Sequence, residues 1–263
     1  MECATCSSAK PSPAQRNATI AKKHGTRPKR YASYLKGKSN VAERRFAEAL
    51  PKVVAHAKNV ALAHHVTVTR EELATNILSE GVAVALNQDL ADGLDGYGAF
   101  GIDTLVDRKK ELQPFLDNRT KKLIEDPNKL SENVNEKKET VHSLTNLSIE
   151  EGMYANASMY VWSKARLAKD LEAQGASLDD LPPAGQFFWS TVYFNAGPKM
   201  GKKHLADWGI DAWEDPWTLE DSDELHGQDS RYNAHWRTAT FESLSESFDV
   251  ASSDTGAPKH PWE

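Results

Sequence analysis

At 263 residues, 39% apolar and 27% charged, the chain has the composition of an ordinary soluble protein, long enough for one large domain or two small ones. No apolar run approaches the roughly 20 residues of a membrane-spanning helix, so no helix is expected to anchor it in a bilayer. The formal net charge of −6 hides an asymmetry.

Residues 1–40 carry nine basic side chains against one acid, Glu2. Rich in Ser, Pro, Gly and Lys, this arm is expected to be disordered. It lacks the apolar core of a secretory signal peptide. Its Cys3 and Cys6 form an isolated C-x-x-C with no second pair to complete a zinc site, a tail feature rather than a metal or redox centre.

Order is expected from about Asn40 to residue 250, with 251–263 as a flexible tail. The segment VAERRFAEALPKVVAHAKNVALAHHV reads as one or two helices, bent or separated at Pro51. His56, His64 and His65 lack the H-E-x-x-H spacing of a metal-binding helix and read as packed at a helix end. No metal and no cofactor is expected.

The stretch Thr69–Asp107 organises the rest. Thr69 and Glu72 form a capping box that opens a helix, and Leu73, Ile77 and Val84 follow on one face. Glu80 projects from that same face. A carboxylate on an apolar stripe must be paired or protonated, and burial favours the protonated form that a general acid needs. The alternative places Glu80 at a frayed helix end beside Gly81, pointing to water. A loop with Gly93, Gly96, Gly98 and Gly101 follows, permitting close approach of backbone to a ligand. The highly charged segment after it, about 107–145, reads as an insertion of short exposed helices.

A third helical block begins at Ile149, with Met153, Tyr160, Val161, Leu167 and Leu171 as its core face. The next helix breaks at Gly197-Pro198. The C-terminal part carries four tryptophans among acids, then a short helix over TATFESLSESF. Nothing alternates convincingly as a strand, so the expected class is mainly α.

Phe194-Asn195-Ala196-Gly197-Pro198 resembles the Y-N-A-G-P signature of lysozyme-like lytic transglycosylases. Gly98-Ala99-Phe100-Gly101-Ile102-Asp103-Thr104-Leu105 is similar to their G-A-x-G-L-M-Q-L loop. Glu80-Gly81 ends the preceding helix at comparable spacing, which places Glu80 on the family's catalytic glutamate. Ile149-Glu150-Glu151-Gly152 resembles the N-I-x-x-G element, with Ser148 where Asn is usual. Phe194 occupies the tyrosine column, with Tyr193 one position off, and Asp103-Thr104 replaces Met-Gln. The resemblance spans roughly residues 69–205.

It implies a lysozyme-like helical domain that cleaves the β-1,4 bond between the amino sugars of peptidoglycan, with Glu80 protonating the glycosidic oxygen. In a lytic transglycosylase the same carboxylate then acts as base on the substrate's own 6-hydroxyl, giving an anhydro end. In a goose-type lysozyme, an aspartate in the loop region positions water instead. Asp89, Asp92, Asp95, Asp103 and Asp107 are candidates, each alternatively a loop-solvating acid, and their number favours hydrolysis. Asp92, Asp95 and Asp107 are carried forward as catalytic candidates. Gly101, Ile102, Thr104, Tyr193, Phe194, Asn195, Ala196 and Gly197 are the expected substrate contacts. A non-catalytic wall-binding module on the same fold is the alternative. Nucleic acid is not an expected partner, because no aromatic-interleaved basic surface occurs in the folded part. Without a signal peptide, delivery to the wall or periplasm calls for a contractile injection or type VI secretion apparatus, with an immunity protein, or for release during phage lysis.

Overall fold

A computed structural model describes residues 27–37, 41–82, 109–128, 130–134, 140–144, 147–208 and 234–245. In chain order these form α1 (Arg27–Lys36), α2 (Val41–Ala63), α3 (Arg70–Ile77), a π-helical turn (Leu78–Val82), α4 (Lys109–Leu112), a 3-10 turn (Gln113–Phe115) and α5 (Asn118–Leu123). Strands β1 (Leu130–Val134) and β2 (Thr140–Leu144), α6 (Ile149–Glu172), a second 3-10 turn (Leu178–Asp180) and α7 (Pro183–Trp208) follow. Residues 234–245 belong to a last helix, α8. The fold is mainly α-helical.

The third block of the sequence becomes α6, the helix on which α2, α3 and α7 pack. Ser148 caps it: its hydroxyl accepts from the Glu151 N–H at 3.2 Å while the Glu151 carboxylate accepts from the Ser148 N–H at 2.7 Å. Met153, Tyr160, Val161, Leu167 and Leu171 are all buried, as their periodicity predicts.

Three expectations need correcting. The basic arm is not disordered as far as residue 40, because α1 lies inside it. Tyr31 and Tyr34, three residues apart on one face, are buried, and Tyr34 meets the edge of Phe46 with ring centroids 6.2 Å apart. The basic composition masked this two-tyrosine stripe. Residues 1–26, with Cys3 and Cys6, and 251–263 lie outside the described residues.

Of the two alternatives at Pro51 the segment takes the single helix: α2 runs past the proline without a break. The helix ends at Ala63, and His65, with a left-handed φ of 58°, closes a Schellman turn: the Val66 N–H donates to the Ala61 carbonyl at 3.0 Å and the His65 N–H to the Leu62 carbonyl at 3.2 Å. His64 stacks on Phe115 at 3.9 Å and His56 packs against Tyr154 at 5.4 Å, so both imidazoles are packing groups. Burial lowers the His56 pKa, partly offset by Asp117.

The charged insertion is not wholly helical and not wholly exposed. Its first half forms α4, the 3-10 turn and α5, whose Leu112, Phe115, Leu116, Leu123 and Ile124 are buried. Surface ion pairs Arg166–Glu111 at 3.1 Å and Arg119–Glu150 at 2.7 Å tie it to α6, adding little energy at such exposure. Its second half is an antiparallel hairpin with Leu130 opposite Leu144 and Val134 opposite Thr140. Strands of five residues, dominated by polar types, carry too little alternation to be read in advance.

The break predicted in the next helix is present: Gly197 has φ 73° and ψ 160°, and the helix resumes after it. Beyond the break, Gly201 sits against Tyr193, where a Cβ would stand 2.7 Å from Cδ2 and 2.8 Å from Cγ. The ring is fixed, because its hydroxyl donates to Asp170 Oδ2 at 3.0 Å and Asp170 also holds Lys202 Nζ at 3.2 Å. Gly201→Ala is therefore expected to destabilise the fold. Overpacking of about 1–3 kcal/mol outweighs the roughly 1 kcal/mol gain in helix propensity. Urea unfolding checks this, and an unfolding midpoint at or above the wild-type value would show that the ring moves freely.

Helix α8 is already helical at 234, ahead of the expected start at 238, and all of 234–241 is buried. Phe241 stacks on Phe187 with centroids 4.7 Å apart. Its polar residues are internally satisfied in part: Thr238 and Thr240 hydroxyls donate to the Ala234 and Trp236 carbonyls at 2.7 and 2.8 Å. A segment that reads as a short terminal helix is thus a core element that delivers Arg237 to the interior. Among the described residues, no helix is long and apolar enough to cross a membrane.

Candidate active site around Glu80

Helix α3 begins as its sequence dictates. The Thr69 hydroxyl accepts from the Glu72 N–H at 3.1 Å, and Glu72 Oε2 accepts from the Thr69 N–H at 2.8 Å. Glu72 has a second role that its spacing did not announce. Its Oε1 accepts from Lys164 Nζ on α6 at 2.6 Å, and the two side chains are 4% and 1% exposed. Tyr160, also on α6, lies beside this pair and near Ser190. Burial, and then the Glu72 carboxylate, raise its phenol well above the ordinary tyrosine range.

Residues 72–78 are buried throughout, and the helix then widens into the π-helical turn that carries Glu80. π-helical turns are rare and often found at functional sites. The 3.6-residue period places Leu73 and Ile77 in the core correctly, but Glu80 is set by the wider turn; Val84 lies outside the described residues.

Glu80 does not point to water. Its side chain is 15% exposed and its Oε1 meets Arg237 Nη2, whose side chain is 6% exposed. The requirement that a carboxylate on this face be paired or protonated is met by pairing. Behind the pair runs a chain of buried polar contacts. Arg237 Nη1 donates to Asn76 Oδ1 at 3.3 Å, and Asn76 Nδ2 donates to Asn156 Oδ1 at 2.9 Å. Arg237 also lies 5.5 Å from the centroid of the Trp236 ring. Segments distant in sequence, α3 with its π turn, α6 and α8, thus converge on one carboxylate.

The elements that meet here carry buried polar atoms without a hydrogen-bond partner: Thr75 Oγ1, Ser79 Oγ, Asn156 Nδ2 and Arg237 Nε, with Glu80 Oε1 held by its ion pair alone. Buried polar groups are ordinarily satisfied, so unsatisfied ones on the elements that carry the carboxylate and its partners can offer hydrogen bonds to a polar ligand or to water.

The expected substrate contacts on α7 divide. Tyr193 is fully buried, with its hydroxyl bound to Asp170; burial and then Asp170 push that phenol strongly upward. It acts as a core residue. Phe194 is 8% exposed and packs toward Tyr160, centroids 6.5 Å apart. Asn195, Ala196 and Gly197 are half-buried, and Asn195 Nδ2 is a further buried donor without a partner. Asp92, Asp95 and Asp107, with Gly101, Ile102 and Thr104, lie outside the described residues.

Sequence reasoning missed Arg237, Asn76 and Asn156. Asn76 stands four residues before Glu80, a spacing that was legible, whereas its partners lie 80 and 161 residues further along. A separate cavity of about 610 Å³, lined by His64, Phe115, Arg166, Lys169 and Leu178 among others, contains none of the candidate residues. Among the described residues, no three His, Cys, Asp or Glu side chains converge as a metal site would need. The chain matches no protein-family model, no curated protein and no solved structure.

Proposed function

We propose that the chain is a peptidoglycan-cleaving muramidase, with Glu80 as its acid–base residue. The observation that carries this reading is the setting of Glu80, a largely buried carboxylate on a π-helical turn, on elements whose buried polar atoms include several without a hydrogen-bond partner. The resemblance of Glu80-Gly81, Gly98–Leu105, Ile149–Gly152 and Phe194–Pro198 to the lysozyme-like lytic transglycosylases supplies the substrate class.

In this mechanism Glu80 gives its proton to the glycosidic oxygen as positive charge develops on the sugar ring. Oε1 faces Arg237, which leaves Oε2 for the proton transfer. A water activated by Asp92, Asp95 or Asp107 then completes hydrolysis; in the transglycosylase variant the sugar's own 6-hydroxyl attacks instead. Asn195 offers an amide donor to the substrate, and Gly101, Ile102 and Thr104 its loop side. Mass spectrometry of digested cell walls tests the reading. Muropeptides carrying added water are expected; anhydro products alone would establish the transglycosylase variant, and an undigested wall would refute both.

A second reading rests on a specific observation. The Arg237 ion pair gives Glu80 a structural role, which suits a non-catalytic wall-binding module on the same fold. Such a module would sediment with purified walls and leave them intact.

A further inference from the structure

The carboxylate of Glu80 is held from behind by a relay, and each link fixes the next. Asn156 Oδ1 accepts from Asn76 Nδ2, which orients the Asn76 amide with its oxygen toward α8. That oxygen accepts from Arg237 Nη1, and this contact sets the plane of the guanidinium. The second arm of the fork, Nη2, meets Glu80. A planar fork bridging Asn76 and Glu80 is a geometry that lysine's single point charge cannot reproduce.

We infer that Arg237 is the positioning residue of the Glu80 site, and that α8 is present to hold the reacting carboxylate in register as well as to fill the core. The kinetic side of this inference rests on the muramidase reading; the geometric side does not. Arg237 touches no substrate in this scheme and acts through Glu80. A displacement of about 1 Å at a reacting group can lower turnover by about 10²-fold, so loosening the relay affects turnover more than binding.

Two measurements on the whole 263-residue chain test it. The first needs no activity: a double-mutant cycle in urea unfolding with Glu80→Gln and Arg237→Lys. The effect of Glu80→Gln on the folding equilibrium constant is expected to shrink by about fivefold or more in the Arg237→Lys background. Additive effects, within about twofold, overturn the inference whatever the wild-type activity. The second is steady-state wall cleavage by Arg237→Lys and by Asn156→Leu, which breaks the relay without touching either charge. For the folded proteins kcat is expected to fall by about 10- to 100-fold with KM within about twofold of wild type. Unchanged kcat in both folded variants overturns the positioning role. A coupled pair in a wild-type chain that cleaves no walls leaves the clamp standing and sinks the muramidase reading instead.

Discussion

Replacing Lys164 with methionine is expected to destabilise the protein by about 3–5 kcal/mol. The ammonium group is 2.6 Å from Glu72 Oε1, and both side chains are almost wholly buried. Methionine fills a similar volume but leaves the Glu72 carboxylate in the core without its counter-charge, beside the Tyr160 phenol. The loss should be far smaller when Glu72 is neutralised as well, because a buried ion pair replaced as a whole is often nearly neutral. The Glu72→Gln/Lys164→Met double variant keeps an oxygen that can accept from the Thr69 N–H, so the start of α3 survives. Urea unfolding of the two single variants and the double variant decides it. A Lys164→Met protein within about 1 kcal/mol of wild type would mean that the pair contributes no more than an exposed one.

The same pair shows where sequence reading stops. Glu72 was legible as half of a capping box, because Thr69 stands three residues away. Its partnership with Lys164 spans 92 residues, and no local period reports that. Elements were legible where the period was local and strong. The face of α6, its start at Ser148 and the break of α7 at Gly197 are of this kind. They were illegible where composition hid the pattern, as in α1, whose two buried tyrosines sit among lysines and arginines, and α8, whose buried face is rich in threonine, histidine and arginine. The hairpin at 130–144 fell below recognition for want of alternating apolar residues.

At the candidate site the outcome is mixed in an instructive way. The apolar face on which Glu80 stands demands pairing or protonation, and Glu80 is paired, by Arg237 on α8, which no local pattern connects with it. Tyr193 sits one residue from the signature column, roughly 100° around the helix, and is a core residue, while Phe194 in that column is buried as well.

Glu80→Gln is the second substitution with a large expected effect. The amide is nearly isosteric, and its carbonyl oxygen can still face Arg237, but it has no acidic proton for a leaving oxygen. Loss of an acid–base group typically lowers the rate by about 10²–10⁴-fold. The substitution also leaves the Arg237 charge uncompensated, with a stability loss of up to about 3–5 kcal/mol. Activity must therefore be compared at a temperature where circular dichroism shows the variant folded. The decisive measurement is the rate at which folded Glu80→Gln clears a suspension of purified cell walls, relative to wild type. A fall of about 10²-fold or more is predicted; clearance by the folded variant within about twofold of wild type would contradict the assignment of Glu80 as the acid.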